Sequence, residues 1–163
     1  MTNLPLAQPI LVTGATGFIG QRLIQRLLQE ENQIRTLVLP EETLPSSWST
    51  ESIEVIRGNI TDSKAVNLAM KGIGTVFHLA AVVGDWGKPE WFQQITIQGT
   101  QNVLQAALSN QSRLLLVSSI VVYGDAIGRN LLCREVQPYG NALGYYSWSK
   151  QLQEKLTWEY FKK

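Results

Sequence analysis

The amino-acid sequence predicts an α/β fold: a doubly wound parallel sheet with helices on both faces, arranged in three layers. Short apolar runs alternate with longer segments of helical periodicity along the chain. The first apolar run leads directly into a glycine-rich turn, TGATGFIG at Thr13 to Gly20, which opens a helix. Such alternation is typical of parallel strands joined by right-handed crossovers. For five strands we expect the order 3-2-1-4-5.

The first half of the chain contains three predicted strands: Ile10 to Thr13, Ile34 to Leu39 and Ile53 to Arg57. Apolar residues recur with helical spacing from Phe18 to Leu28, so a helix follows the first strand. Pro40 ends the second strand, because proline cannot donate a ladder hydrogen bond. After the third strand, either Thr61 or Asp62 caps a helix that stops at Gly72.

The second half contains two further predicted strands, Thr75 to Leu79 and Leu114 to Val117, and two long helices. One helix runs from about Pro89 to Leu108, and its proline lies at the start, where a missing amide hydrogen costs least. A loop of about twenty residues follows Tyr123, and the last helix begins near Gly144. Loops of that length inside a domain are generally either functional or misassigned, and the position of this one between two candidate catalytic segments favours function.

The composition describes one ordinary domain, residues 1–163, with 44% hydrophobic and 17% charged residues. The net charge of +1 leaves no basic surface for nucleic acid. Cys133 is the only cysteine and the chain has one histidine, so we expect neither a disulfide nor a metal site. The longest apolar stretch, Leu114 to Tyr123, is too short to span a membrane. We therefore expect a cytoplasmic protein.

The glycine turn predicts a dinucleotide site and hence a Rossmann-type fold. Gly14 permits the turn, Gly17 lets the backbone approach a pyrophosphate, and Gly20 allows the helix to pack closely on the strand. The free amides at the helix start, at Phe18 and Ile19, then face the anion, which the helix dipole also favours. The alternative is a glycine-rich turn without a ligand. Because strand, turn and helix occur in the required order, we favour binding of NAD or NADP.

The choice between NAD and NADP depends on the residues that follow the second strand. An acid there binds the free ribose hydroxyls of NAD, and an arginine accommodates the extra phosphate of NADP. Glu41 and Glu42 follow Pro40, and no arginine lies beside them in the sequence. The acids favour NAD, with NADP possible, since the alternative is that both glutamates belong to a solvated loop.

Three segments resemble motifs of the extended short-chain dehydrogenases/reductases, also called the NAD-dependent epimerase/dehydratase family. TGATGFIG is similar to the opening motif of that family, GNITD at Gly58 to Asp62 to its adenine-contacting segment, and HLAA at His78 to Ala81 to its fourth-strand motif. The resemblance implies that the adenine meets Asn59 and Ile60, and that the cofactor is lined by Leu79, Ala80 and Ala81. Asn59 stands where the family usually has Asp, and its side-chain oxygen can still accept a hydrogen bond from the adenine amino group.

Two more segments resemble the family's catalytic residues. SSIVVYG at Ser118 to Gly124 is similar to the segment whose second serine acts, which places that role on Ser119. YSWSK resembles the Tyr-x-x-x-Lys pair, here Tyr146 and Lys150, which the resemblance also places against the cofactor. Residues four apart share one helix face, so Lys150 would stabilise the phenolate of Tyr146. Tyr146 would then exchange the hydroxyl proton while Ser119 hydrogen-bonds the reacting oxygen and the nicotinamide carries the hydride.

Alternative roles exist for several of these residues. In the last helix, an apolar stripe would form the buried face, leaving Tyr146, Lys150 and Gln153 on a different face. The members of that stripe are Tyr145, Trp148, Leu152, Leu156 and Tyr160. The only histidine, His78, lies within an apolar strand, and we expect a structural role for it. Asp85 and Trp86 follow that strand, where they either touch substrate or form a plain surface loop.

The chain also departs from the family pattern. Thr96 stands where many members have an Asn that holds the site together, and we expect the shorter Thr to do this incompletely. Ile120 and Val121 stand where sugar-nucleotide dehydratases carry Asp and Glu, which disfavours a dehydratase. Family members usually continue into a smaller substrate-binding domain, whereas this chain ends at Lys163, so we expect a truncated enzyme or a fragment.

The resemblance therefore implies an NAD(P)-dependent oxidoreductase or epimerase. Its expected substrate is a small molecule with a secondary alcohol or ketone, such as a nucleotide sugar or a sterol-like or flavonoid-like compound. The alternative is a nucleotide-binding sensor, or an inactive cofactor-binding fragment. The two long helices also resemble the paired-helix surface through which family members form dimers, so a homodimer is a further expectation.

Overall fold

The computed structural model of the chain describes residues 5–48, 52–84, 86–126, 133–136 and 138–162. In these residues the strands form one parallel sheet. The strands are β1 (Ile10–Thr13), β2 (Ile34–Val38), β3 (Ile53–Arg57), β4 (Thr75–His78) and β5 (Arg113–Leu116). Their order is β3-β2-β1-β4-β5, which confirms the predicted 3-2-1-4-5. The predicted bounds differ by at most one residue at either end of a strand.

Helices connect the strands in the expected sequence. They are α1 (Phe18–Gln29), α2 (Ser63–Met70), α3 (Pro89–Trp91), α4 (Gly99–Ser109) and α5 (Tyr145–Phe161). A π-helical segment, Phe92–Gln98, joins α3 to α4, so the predicted long helix is continuous but changes its winding. A 3₁₀ segment, Ile120–Ala126, follows β5. Asp62, rather than Thr61, caps α2, because its carboxylate accepts a hydrogen bond from the Lys64 amide at 2.9 Å.

The three inner strands, β2, β1 and β4, are buried on both faces, which explains their nearly continuous apolar sequences, whereas the edge strands β3 and β5 are partly exposed. Along β1, Leu11 packs into the core on one face, and Ile10 and Val12 pack into the core on the other. Each fully buried Ile or Leu side chain stabilises the fold by about 1.5–3 kcal/mol. The first core is completed by residues of α2 and α4, and the second by residues of α1. Two cores fix β1 and β4 at the centre of the sheet, with Thr13 opposite His78 at their carboxyl ends.

Helix α5 corrects the prediction of an apolar buried face. The five residues of that stripe, Tyr145, Trp148, Leu152, Leu156 and Tyr160, are all exposed or half-buried. The buried residues of α5 are instead Ser147, Ser149, Lys150, Gln151 and Gln153. This face packs on the 3₁₀ segment and donates hydrogen bonds to its carbonyl groups, such as Ser147 to Val121 at 2.7 Å. A helix that packs on irregular backbone needs donors there, because buried carbonyl groups require partners.

Candidate active site

The turn between β1 and α1 has space only for glycine at two of its positions. Gly14 has a φ of +68°, and a Cβ there would lie 2.8 Å from the backbone nitrogen of Ala80. A Cβ on Gly20 would lie 2.2 Å from the carbonyl oxygen of Gly14. Real Cβ atoms do not approach backbone this closely, so α1 can pack on the turn only with glycine at position 20. The side chain of Phe18 is 84% exposed and that of Ile19 is also exposed, so the turn offers backbone amides rather than these side chains.

A cleft of about 400 Å³ opens at the carboxyl ends of the strands, where the chain order reverses. Seven of the predicted cofactor residues line it: Gly14, Gly17, Asn59, Ile60, Leu79, Ala80 and Ala81. The other predicted residues of the turn, Phe18, Ile19 and Gly20, lie beside the cleft at the start of α1. Tyr146 and Lys150 belong to α5 and do not line this cleft.

The loop after β2 brings one of the two predicted glutamates into the cleft. The Thr16 hydroxyl donates a hydrogen bond to the carboxylate of Glu42, which lines the cleft, whereas Glu41 is exposed. Arg57, at the end of β3, donates to the carbonyl groups of Leu39 at 3.0 Å and Glu42 at 2.5 Å. An arginine thus lies beside this loop in space although none does in sequence. Arg57 pairs with Val38, the last residue of β2, and recognising this strand register would have placed the arginine beside the loop.

The segment at Asn59 and Ile60, which is predicted to contact the adenine, is held from two sides. The side-chain oxygen of Asn59 accepts a hydrogen bond from the Thr61 amide at 2.9 Å, which uses one of its two lone pairs. The Asn102 side chain, on α4, donates to the carbonyl oxygen of Ile60 at 2.9 Å. Gly99 lets α4 approach, because a Cβ there would lie 2.6 Å from the Ile60 side chain. Asn102 is a supporting residue that sequence reasoning missed, since it has no local signal within the helix.

On the other side of the site, Lys150 is 4% exposed. Its ammonium donates to the carbonyl oxygen of Val117 at 3.0 Å and to Oε1 of Gln153 at 2.7 Å. Burial lowers the pKa of Lys150 from 10.5 to about 8, and the nearby Glu154 carboxylate opposes that shift. An ammonium has three N–H donors. Two of these N–H groups of Lys150 have acceptors among the described residues, so the third could donate to another group in the site.

Ser119 and Tyr146 lie on the segments that Lys150 joins. Val117, which accepts from Lys150, is two residues before Ser119, and Ser119 accepts from the Val121 amide at 3.4 Å. Tyr146 is half-buried in the first turn of α5, one turn before Lys150. The hydroxyl of Ser118 is buried and has no hydrogen-bond partner in the described part of the chain. The structure thus brings the predicted catalytic segments to one edge of the sheet.

His78 and Thr96 have structural roles. His78 is fully buried, and its ring nitrogens contact the hydroxyl groups of Thr13 at 2.7 Å and Thr100 at 2.9 Å. Burial, assisted by the charge of Lys150, lowers the pKa of His78 from 6.5 to about 3, so the ring is neutral. The hydroxyl of Thr96 accepts from the Val82 amide at 3.0 Å. Thr96 therefore holds the backbone that follows β4 despite being shorter than Asn.

Two predictions about the surroundings of the site have different outcomes. Asp85 lies outside the described residues, whereas Trp86 is described and is 91% exposed.

Within the described ranges, no group of His, Cys, Asp and Glu residues is arranged to hold a metal ion. No helix in the same ranges is long and apolar enough to cross a membrane.

The sequence model of the NAD dependent epimerase/dehydratase family matches residues 10–163. The chain belongs to this family. The resemblance carried by the motifs is therefore confirmed, and the parallel sheet found here is the fold of NAD-binding members of the family. The family is NAD-dependent.

Relatives within and around the family cover almost the whole chain. Over 161 residues the chain is 35% identical to 3 beta-hydroxysteroid dehydrogenase type 7 of Rattus norvegicus, which covers 91% of this chain and 47% of the relative. The structure is similar to that of MoeE5 in complex with UDP-glucose and NAD, with a TM-score of 0.83 and 28% identity over 96% of this chain and 50% of that one. It is also similar to a monomeric L-threonine 3-dehydrogenase of metagenomic origin, with a TM-score of 0.81 and 28% identity over 94% and 49% of the two chains. The chain spans about half the length of the curated relatives it matches.

Proposed function

We propose that this chain is the cofactor-binding part of an NAD-dependent oxidoreductase or epimerase that acts on a secondary alcohol or ketone. The observation that carries the proposal is the buried ammonium of Lys150, fixed by Val117 and Gln153 one helical turn from Tyr146. Burying a charge costs free energy unless it is paired, and buried titratable groups with displaced pKa values cluster at functional sites. A lysine on a solvated helix face would have no such surroundings.

The cleft fits the dinucleotide that the family uses. The glycine turn leaves the backbone amides of Phe18 and Ile19 for the pyrophosphate, since the Gly17 amide donates to the Gly14 carbonyl oxygen at 3.2 Å. A Cβ at position 14 or 20 would collide with the backbone that shapes this turn. The adenosine would lie between the Asn59–Ile60 segment and Glu42, whose carboxylate suits the ribose hydroxyls of NAD and repels the phosphate of NADP. Leu79, Ala80 and Ala81 would line the cofactor towards the nicotinamide. When bound, oxidised NAD would accept hydride from the alcohol carbon, and reduced NAD would return hydride to the carbonyl carbon.

Three side chains of this chain would carry the proton chemistry. Tyr146 takes the hydroxyl proton of the alcohol, or returns it to the carbonyl oxygen of the ketone. Lys150 would stabilise the phenolate form of Tyr146 through its positive charge. The two residues lie outside the cleft itself, so any contact they make with the cofactor would be with its nicotinamide end. Ser119 donates a hydrogen bond to the reacting oxygen and so fixes it beside Tyr146. Lys150 and Ser119 are held by hydrogen bonds before substrate arrives, which reduces the entropy cost of the reaction.

We expect the substrate to be a nucleotide sugar or a sterol-like or flavonoid-like alcohol. The rat relative is by its name a steroid dehydrogenase, and the MoeE5 complex contains a UDP-sugar. Simple dehydration is disfavoured, because Ile120 and Val121 follow Ser119 and aliphatic side chains supply neither acid nor base. Substrate contacts would come largely from the part of the enzyme that lies beyond this chain in its relatives.

The catalytic assignment is tested by Tyr146→Phe in the intact enzyme, with Tyr145→Phe as the matched control. Tyr145 precedes Tyr146 in α5 and its side chain is 49% exposed. We expect Tyr146→Phe to lower kcat by at least about 100-fold with unchanged affinity for NAD, and Tyr145→Phe to retain activity. Equal activity of the two variants would overturn the assignment. A wild-type protein that binds NAD but turns over no alcohol of these classes would instead support the nucleotide-binding sensor.

We also propose that two copies associate through the two long helices. Leu108 at the end of α4 and Trp158 and Phe161 on α5 have side chains that are at least half exposed. Apolar side chains grouped on helix faces favour association, because burying them removes apolar area from water. Light scattering after size exclusion should give twice the mass of the chain, and a monomeric mass at all concentrations would contradict this proposal.

A further inference from the structure

A continuous chain of buried polar side chains runs beneath the site, from α5 to the end of β1. Its members are Lys150, Gln153, Thr100, His78 and Thr13, all less than 5% exposed. The side chain of Gln153 lies between Lys150 and Thr100, at 2.7 Å from the first and 2.8 Å from the second. The ring of His78 lies between Thr100 and Thr13. Buried polar groups joined in this way are costly if any single bond is missing.

The direction of each hydrogen bond in this row of buried side chains follows from the single proton of the Thr100 hydroxyl. That proton is donated to the carbonyl oxygen of Thr96 at 2.6 Å. Thr100 Oγ1 must therefore accept from its other two neighbours, Gln153 and His78. If the amide oxygen of Gln153 faced Thr100, it would find no proton there, because the Thr100 proton is already donated to Thr96. The amide nitrogen thus faces Thr100, and the amide oxygen faces Lys150.

The same reasoning fixes the proton on the imidazole of His78. Its Nε2 must carry the proton, because Thr100 accepts there. In the neutral ring Nδ1 is then an acceptor, and the Thr13 hydroxyl donates to it at 2.7 Å. Thr13 Oγ1 in turn accepts from the backbone amide of Ala80 at 3.3 Å. The chain of bonds therefore ends on a residue that lines the cofactor cleft.

The Gln153 oxygen has a definite effect on its neighbour. Among the described residues it is one of two acceptors for the Lys150 ammonium, and the other is the carbonyl oxygen of Val117. A hydrogen-bond acceptor facing an ammonium favours its charged form. In a buried site this preference is large, because water cannot replace the missing acceptor. Because two N–H groups of Lys150 are held by these acceptors, the direction of its third N–H is also fixed.

We propose that Gln153 is a positioning residue, which holds Lys150 charged and oriented and whose own amide orientation is set by Thr100. The consequence for catalysis rests on the function proposed above, whereas the effect on Lys150 does not. Gln153 touches neither substrate nor cofactor in this proposal and acts only through Lys150. Among the described residues, the charged and titratable groups that interact with the ammonium are Glu154 on α5 and His78 on β4, and Tyr146 lies one helical turn before Lys150. None of these side chains is altered by substitution of Gln153.

The direct test is the titration of the Lys150 ammonium by NMR in this chain, with labelled lysine and with Lys150→Arg to assign the signal. We expect Gln153→Met to lower the pKa of Lys150 by about one unit or more, because an acceptor of the charged form is lost. Gln153→Glu should raise this pKa by a similar amount, because a carboxylate replaces the amide. The matched control is Gln151→Met, which removes another buried glutamine of α5 that donates to the carbonyl groups of Val122 and Gly140.

The results separate a positioning role from a merely structural one. Gln151→Met should lose stability and leave the Lys150 titration unchanged. A folded Gln153→Met protein with an unchanged Lys150 pKa would overturn the proposal. Should Gln153→Met fail to fold, Gln153→Glu and Thr100→Ala provide the decision. Thr100→Ala should lower the pKa of Lys150, because the amide of Gln153 is no longer held in one orientation, and Thr100→Ser should restore the wild-type pKa. If neither Gln153→Glu nor Thr100→Ala changes the pKa of Lys150, the proposal is overturned.

A second readout in the intact enzyme distinguishes this proposal from the proposed function. We expect Gln153→Met to lower kcat about tenfold at pH 8 with little change at pH 6 and little change in KM, because Lys150 loses its charge at lower pH. If Tyr146→Phe stays active while the NMR shifts appear, the proposed function fails and the role of Gln153 in holding Lys150 stands. If Tyr146→Phe is inactive and Gln153→Met leaves the pH profile unchanged, the role of Gln153 in catalysis fails.

Discussion

The predicted cofactor cleft and the proposed catalytic face of α5 lie at the same edge of the sheet, yet they are built from different groups. Glycines and apolar side chains, such as Leu37, Leu79 and Ala80, line most of the cleft. Buried polar side chains, foremost Lys150 and Gln153, form the face of α5. The first region is shaped by steric contact, which does not depend on pH. The second is held by hydrogen bonds and a buried charge, so its state changes with protonation.

The largest expected effect comes from breaking the steric region at Gly20. A Cβ there would lie 2.2 Å from the Gly14 carbonyl oxygen and 2.6 Å from that of Ala15, so backbone must move. We expect Gly20→Ala to lose about 4 kcal/mol of stability or more, measured by chemical denaturation. Gly144→Ala is the control, since nothing lies within 4 Å of its added Cβ. A Gly20→Ala protein as stable as the control would contradict the steric account of the turn.

This contrast also explains which parts of the molecule could be predicted from sequence. The strand order and the glycine turn follow from local patterns, because a buried parallel strand is a short apolar run and Gly14 is needed for a positive φ. The buried face of α5 could not be predicted this way. Hydrophobic periodicity assumes an apolar partner surface, whereas Ser147 and Gln151 pack on carbonyl groups of distant segments.

Supporting residues are equally hard to find in the sequence. Asn102 and Arg57 act on backbone carbonyl groups 42 and 15 positions away, at Ile60 and Glu42. Their partners are set by the tertiary fold, and neither residue belongs to a motif that was recognised. The roles of Ser119 and Tyr146 remain predictions from the family resemblance, supported by the neighbourhood of Lys150.

The next effect is the loss of stability at low pH that the buried His78 causes. The pKa of His78 is lowered to about 3 in the folded chain from 6.5. Below pH 6.5 the unfolded chain therefore binds a proton that the folded chain does not, and stability falls as the pH falls from 6.5 towards 3. We expect this loss to reach about 3 kcal/mol at pH 4. Denaturation at a series of pH values should show a shallower acid slope for His78→Asn, and parallel slopes would contradict a neutral buried His78.

The smallest effect concerns the support of the adenine segment by α4. Asn102→Ala removes the donor to the Ile60 carbonyl oxygen, a bond of 2.9 Å. We expect a loss of about 1 kcal/mol in stability and a several-fold weaker affinity for NAD, because the segment is less well ordered. Gln105→Ala, at an exposed position of the same helix, is the control. If the two variants bind NAD equally, Asn102 does not order the cleft.

Calorimetry of this chain with NAD and NADP is the most direct test of the assignment of the cleft as an NAD site. We expect one NAD bound per chain, NADP bound about tenfold more weakly because Glu42 would face the ribose, and no binding by Gly14→Val. Circular dichroism of Gly14→Val would establish that the variant is folded. Absence of binding of either nucleotide to the wild-type chain, or undiminished binding to folded Gly14→Val, would contradict this assignment.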